Sequence, residues 1–475
     1  MTAHSWSPGS VARCIAFLFL LALPACDKGD GATGIANTAL EDQAIVVSTI
    51  DPDTATVDTT ITVRITGSGF TEGSTATWVI DTTEAPGIRT LSTTWKSAAE
   101  LEVLIVISPD AALRLYSIRI RGKKGKQGIA VERFRVVAKP IPLPEPGARS
   151  EAVDVNDSGV IVGWSDDASG FQIAVRWTPL DSGWSHTILG PGVAVALNND
   201  GLILRRDYDP LTRDWSSWVH LPSGGEVALG PVVVSDISNN GTIIGWIYDA
   251  EFKRNAVAWK QVSAASWSGP QSLPIPPGFT NASFDRINGV GDIAGSISSS
   301  TSGLSVVWKY RDGSWQTPEP VDVQHSAGVS AINDAGAIAG WMWPCVPLTT
   351  GCFSSPAFWP SPGGALRILP TLYQGLVQDM NNANQIVGSA YVYYNNGSGP
   401  LAPLVWHAVI WFPSSQWPED LSAIRPAQRS DAKAINNRGL VVGSVGASYS
   451  TPPHATVWKL PGGLTTAAPD RIRRP

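Results

Sequence analysis

Two hydrophobic patterns divide the chain. Between residues 43 and 137 apolar and polar positions alternate in short runs, "AIVVSTIDP", "TTITVRITGSGF", "ATWVI", "ELEVLIVI", "LYSIRIRG" and "VERFRVV", each bounded by Gly, Pro, Asp or Ser. Period-two alternation of this length predicts half-buried strands, and their spacing predicts a two-sheet sandwich. From residue 150 a single phrase dominates: an apolar residue, Asn, two polar residues, Gly and a β-branched run. It reads "AVDVNDSGVIVGW", "AVALNNDGLILRR", "VSDISNNGTIIGW", "FDRINGVGDIAGS", "VSAINDAGAIAGW", "VQDMNNANQIVGS" and "AKAINNRGLVVGS", beginning at 152, 194, 234, 284, 329, 377 and 432.

Each copy predicts a strand, a tight turn and a second strand. Asn156, Asn198, Asn288, Asn333, Asn381 and Asn436 suit the first turn position, because an Asn side chain bonds backbone amides further on. The third copy has Ser238 there. Gly suits the left-handed residue that closes the turn, and where it is missing the substitute is Asn384, the residue most tolerant of positive φ after Gly. That exchange argues for backbone geometry rather than a ligand. A Trp closing a short apolar run follows in every unit: Trp177, Trp218, Trp259, Trp308, Trp359, Trp411 and Trp458. A hairpin and a Leu-bearing strand such as "HTILG" complete four strands per unit. Units of this kind recurring seven times predict a seven-bladed β-propeller with the Trp wedged between blades, an open β-solenoid being the alternative. The fold class expected is all-β, an immunoglobulin-like sandwich followed by that propeller.

Resemblances add names to these segments. Pro52, "ITGSGF" with Gly67, Gly69 and Phe70, and "LYSIRI" before a closing "FRVV" resemble the IPT/TIG immunoglobulin-like domain, which implies a spacer or interaction module over 43–138. The combination of "IN..G.IvG" with a later "A..W" is similar to the HAF family of extracellular repeats and covers 148–465. Arg13 before "CIAFLFLLAL", ending in "LPAC", resembles the lipobox of bacterial lipoprotein precursors. That resemblance implies a signal peptide over 1–25, lipidation at Cys26, and a membrane-anchored protein of the cell envelope facing the periplasm or the exterior. Residues 26–42 then read as a flexible tether. In "AKPIPLPEPG" alternate prolines predict a polyproline strut over 139–147, and 466–475 is left as a tail.

Composition narrows the function. Charged residues are 16% of the chain and the formal net charge is -6, so no nucleic-acid partner is expected. Cys345 and Cys352, in "PCVPLTTGC", suit a local disulfide in an exported protein. His186, His220, His325, His407 and His454 fall at unrelated positions, and no metal or other cofactor is expected. Two features carry possible chemistry. Trp164, Trp246 and Trp341 follow the strand-closing Gly in three units and would form an aromatic platform if exposed, or core if buried. Asp154, Asp236, Asp285 and Asp379 stand near equivalent places just before the turns. The expectation is a non-enzymatic module binding an envelope protein or glycan; the alternative is a polysaccharide lyase or hydrolase, which would need carboxylates gathered in one central pocket.

Overall fold

The computed structural model describes residues 44–250, 253–343, 354–371, 374–393, 404–412, 417–422, 428–446 and 452–461. The signal segment with Cys26, the tether, the Cys345–Cys352 pair and the tail lie outside the described residues. Within them the chain is all-β, built of many small sheets, with one 3-10 turn at Lys123–Gly125.

The alternating runs of the first pattern form two sheets. One holds Val46–Asp51, Thr59–Ser68, Glu100–Ile107 and Ile88–Ser97; the other holds Thr54–Thr56, Gln127–Val137, Leu115–Arg121, Thr75–Ile80 and Thr83–Glu84. Along "ELEVLIVI" every second residue is buried, so Leu101, Val103, Ile105 and Ile107 enter the core that also takes Trp78, Tyr116 and Phe134. Gly67 is required by close approach: a Cβ there would meet the Val46 carbonyl oxygen at 1.9 Å. Phe70 is buried as expected of a core plug.

Each later repeat folds into its own antiparallel sheet. In repeat one the strands are Ser150–Val155, Ile161–Asp166, Gln172–Pro179 and Trp184–Pro191, in that spatial order. Repeat three shows three strands, Val233–Ile237, Ile243–Tyr248 and Arg254–Trp259. Neighbouring sheets meet at apolar seams, and the last sheet packs on the first: Val442, Ala455 and Val457 share a cluster with Ile161, Val175 and Trp177. Trp259, Trp308, Trp359, Trp411 and Trp458 lie in the seams before their own sheets, all 3% exposed or less. Their indoles are long enough to reach the preceding repeat; Trp308 Nε1 donates to the Pro274 carbonyl at 2.8 Å.

Repeat two departs from the expectation. The strand register pairs Ile203 with His220, whereas Ile161 pairs with Trp177, so His220 and not Trp218 occupies the seam position. The cause is Arg205, which stands where most repeats have Gly. Its buried guanidinium needs acceptors and a flat neighbour: Nε donates to His220 Nε2 at 3.1 Å, Nη2 to Glu226 at 3.1 Å, and Trp218 stacks on it at 3.7 Å. His220 must be unprotonated at Nε2 to accept, and burial pulls its pKa down. The sheet itself is a regular four-stranded one.

The proline strut is also corrected. Pro140–Pro142 is a strand on the edge of the last sheet, pairing Ile141 with Val457, and the Leu143 amide donates to the Ala455 carbonyl at 2.9 Å. Proline is tolerated on an edge strand because its missing N–H would face away from the partner. The strand that completes the final sheet therefore comes from before the first repeat, and a fragment beginning at residue 148 would lack it.

The turns explain the recurring phrase. The residue closing each turn has positive φ: Gly159, Gly201, Gly241, Gly291, Gly336 and Gly439, between 74° and 98°, and Asn384 at 57°. The Asn does more than cap its own turn. Asn436 Oδ1 accepts from the Leu440 amide at 2.9 Å, while Nδ2 donates to the Asn156 carbonyl of repeat one at 2.8 Å. The same cross-repeat bond runs from Asn156 to Asn198, from Asn198 to Ser238, from Asn288 to Asn333, from Asn333 to Asn381 and from Asn381 to Asn436. Ser238 has no amide to extend, and Asn240 reaches Val290 instead, at 3.2 Å. Asn436→Ala removes acceptor and donor together and leaves buried amides unpaired. It is expected to lower unfolding free energy by about 1–3 kcal/mol, read as a lower urea midpoint at unchanged slope.

Candidate functional site

Every first strand of a repeat carries a one-residue bulge just before its turn. The pairing skips Val153, Val195, Ser235, Asp285, Ser330, Gln378 and Lys433 in the seven repeats. A bulge adds a residue to one strand and re-aims side chains. Here the bulged residues, with Asp154, Asp236, Arg286, Asp379 and Ala434 after them, wall a single cavity of about 600 Å³, to which all seven first strands contribute. The successor positions hold Asp154, Ala196, Asp236, Arg286, Ala331, Asp379 and Ala434.

Three of the carboxylates are anchored by backbone of the next repeat. Asp154 accepts from Val155 and, across the seam, from Leu197, both at 2.8 Å. Asp236 accepts from Ile237 at 2.8 Å and Ile287 at 3.0 Å, and Asp379 from Ile435 at 2.9 Å. Burial against the cavity wall, and then the neighbouring Asp236, push the Asp154 carboxyl up to about 7, with the Leu197 amide opposing. Burial likewise raises Asp379 to about 6 against the pull of the Ile435 and Met380 amides and Arg286. Asp236 and Asp285 are raised by burial and held back first by Arg286. Arg286 is thus the cation that faces Asp236, Asp285 and Asp379 together, with Nη1 on the Asp285 carbonyl at 2.9 Å. The cavity presents protonated and ionised carboxyls side by side near neutral pH, a surface able to donate and accept.

The sequence-predicted residues divide. Asp154, Asp236 and Asp379 are brought together as equivalents. Asp285 shares the cavity but sits one residue earlier, on the bulge, so that Arg286 takes the equivalent place. Trp164, Trp246 and Trp341 occupy the position paired with the start of each first strand, opposite the turns. Trp164 is half-buried and donates to Glu151 at 3.3 Å. Trp246 is half-buried on the cavity wall, with Arg254 5.1 Å and Arg206 6.0 Å from its ring. Trp341 is 39% exposed and lies across Gly328. Arg206, from repeat two, holds the same position and donates to Val234 at 3.1 Å. The five histidines stay apart: His407 is buried against Asp420 at 2.8 Å, His325 pairs with Asp322 and His454 with Glu145. Among the described residues no group of three or more His, Cys, Asp or Glu could hold a metal ion.

Arg286, Lys433 and Gln378 were not singled out from the sequence. The signal is the polar residue interrupting an apolar strand two or three places before the turn Asn, which carries meaning only once the bulge is known to turn it toward the cavity.

No family model and no curated protein matches the chain. Among solved structures it is similar to a structural genomics protein of unknown function from Bacteroides thetaiotaomicron, at 10% identity over 88% of this chain and 98% of that one, with a TM-score of 0.30. An auxiliary nutrient binding protein from Bacteroides ovatus gives 11% identity, the same coverages and a TM-score of 0.32. AofleA from Arthrobotrys oligospora gives 12% identity over 61% of this chain and 91% of that one, with a TM-score of 0.32. Likeness at this level identifies neither a family nor a ligand for the chain.

Proposed function

We propose that the chain is a lipid-anchored bacterial envelope protein in which an IPT/TIG-type immunoglobulin-like sandwich carries a HAF-type seven-bladed β-propeller, and that the propeller binds a glycan in its central cavity. The propeller reading is supported by the circuit of Asn bonds returning from Asn436 to Asn156 and by apolar seams between consecutive sheets, last to first. The anchor rests on the lipobox resemblance at Cys26. One observation carries the glycan reading: four aspartates, Arg286, Lys433 and Trp246 converge on one cavity of about 600 Å³. A sugar hydroxyl donates and accepts at once, and carboxyls straddling their pKa near neutrality match it in both directions, with Trp246 supplying an apolar face.

Titration with peptidoglycan fragments and envelope oligosaccharides, followed by calorimetry, tests this. Saturable binding that Arg286→Gln weakens by about tenfold or more is expected; no binding of any glycan, or binding indifferent to that substitution, removes the reading. The gathered carboxylates are also what a polysaccharide hydrolase needs. Three of them hold backbone amides across seams, which favours a binding role. Release of new reducing ends, abolished by Asp379→Asn, would move the assignment to the enzyme.

A further inference from the structure

The first strands have a second end, away from the turns, and a separate pocket of about 380 Å³ lies there beside repeats six, seven and one. Glu151, Leu376 and Asp431, near the starts of three first strands, line it together with Trp406, Arg429 and Lys433. Only Gln378 and Lys433 border both this pocket and the central cavity.

The wall is charged but balanced. Lys433 pairs with Glu151 at 3.2 Å and Arg429 with Asp431 at 3.2 Å. Glu151 also accepts from Trp164 at 3.3 Å and Ser444 at 3.4 Å. Asp431 accepts from Trp406 at 2.8 Å and Ser389 at 3.0 Å. These bonds fix the carboxylates in place, while their side chains keep 22% of their surface open. An ionic ligand would compete with pairs already made and leave one partner unmatched. A neutral ligand with several hydroxyls can join each pair without breaking it, because carboxylate oxygens and ammonium or guanidinium groups have further bonding capacity. The remaining wall is apolar: Trp406, Pro453 and Leu376, whose side chain is 41% exposed although nothing in the strand's own packing requires an apolar residue in water. Apolar surface beside fixed polar groups suits a sugar ring, whose faces carry C–H and whose edge carries O–H. The volume lies within the roughly 300–1,000 Å³ of small-molecule sites.

We propose that this end pocket is a second binding site, for a neutral saccharide, built on the Glu151–Lys433 and Asp431–Arg429 pairs and the Trp406–Leu376–Pro453 face. It stands independently of the glycan reading of the central cavity.

The test is calorimetric titration of the intact chain with glucose, N-acetylglucosamine and their neutral disaccharides, beside glucuronate and glucosamine as charged counterparts. A neutral saccharide is expected to saturate the protein and to bind at least about fivefold more tightly than its charged counterparts. Leu376→Glu and Arg429→Gln, both at the exposed rim, are each expected to weaken it at least about fivefold, and Val131→Ser, exposed on the sandwich and outside both pockets, to leave it unchanged. Circular dichroism and the urea midpoint confirm that the rim variants remain folded. Preferred binding of glucuronate or glucosamine overturns the neutral-ligand assignment. Neutral binding lost with Arg286→Gln but kept in both rim variants places the sugar in the central cavity and overturns the end pocket alone. No saturation by any neutral saccharide overturns it outright.

Discussion

Trp308→Ala is expected to cost about 3–5 kcal/mol of unfolding free energy, the range for emptying an aromatic site in a packed core. The indole is fully buried between repeats three and four, edge-on to Phe284 at 5.2 Å, against Ile244, Ala258 and Leu273. Removal opens a cavity on both sides of the seam. It also leaves the Pro274 carbonyl without the indole donor now 2.8 Å away. Neither wall collapses easily, because each belongs to a hydrogen-bonded sheet with a second seam behind it. Chemical denaturation with two probes, far-ultraviolet dichroism and tryptophan fluorescence, checks the size of the effect. Trp218→Ala is the internal comparison. Its ring lies on Arg205 rather than filling a seam, so its loss is expected to cost clearly less. Equal costs at the two positions would refute the distinction between them.

That comparison marks where sequence reading stops. The strands, the turns and the indoles were legible because local chemistry dictates them: positive φ favours Gly and then Asn at the repeat turns, and a two-fold alternation demands a half-buried strand. Trp218 was misassigned because spacing alone cannot see a two-residue shift in register. The signal was present as Arg205, a residue too large for the glycine position and obliged to gather acceptors around it. The proline segment was misread for a related reason. Alternate prolines fit an isolated extended strut and an edge strand equally well, and the partner that decides, Val457, lies more than three hundred residues away. The Asn was understood only in half. Its acceptor oxygen serves its own turn, which sequence shows; its donor serves another repeat, which only the spatial neighbourhood of the turns reveals. The central cavity was the least legible feature. Asp154, Asp236 and Asp379 stood out as carboxylates, but their Arg286 neighbour did not, since a bulge moves one residue of a strand out of the alternation on which sequence reading depends.

The same carboxylates give the second large effect, a fall in stability as the solution becomes less acidic. Burial and the neighbouring Asp236 raise the Asp154 carboxyl from an ordinary value near 3.8 to about 7 in the folded protein. Between those values the folded state holds more protons than the unfolded state, so unfolding free energy declines as pH increases. The stabilising contribution is fully present below about pH 4 and is lost as pH rises through about 7. Asp379 acts with the same sign, its folded value being about 6, as does the half-buried Glu419 at about 7, raised by desolvation against the pull of Arg135 and Arg114. Asp322, which burial pushes up but the Gln324 and His325 amides, the His325 ring and the Trp359 indole together bring below its ordinary value, opposes them. Asp154→Asn isolates one member of this set: the amide oxygen still accepts the Leu197 N–H, the Val155 N–H loses its acceptor equally at every pH, and the group no longer titrates. Relative to that variant, wild type is expected to lose about 2–4 kcal/mol between pH 4 and pH 8. Urea midpoints of the two proteins at several pH values give the difference directly. A constant gap would mean that Asp154 is ionised throughout and that the cavity solvates it as water does. If a glycan occupies the cavity and accepts the Asp154 proton in a hydrogen bond, saturating ligand should hold the carboxyl protonated to higher pH, and the decline in stability should shift upward with it.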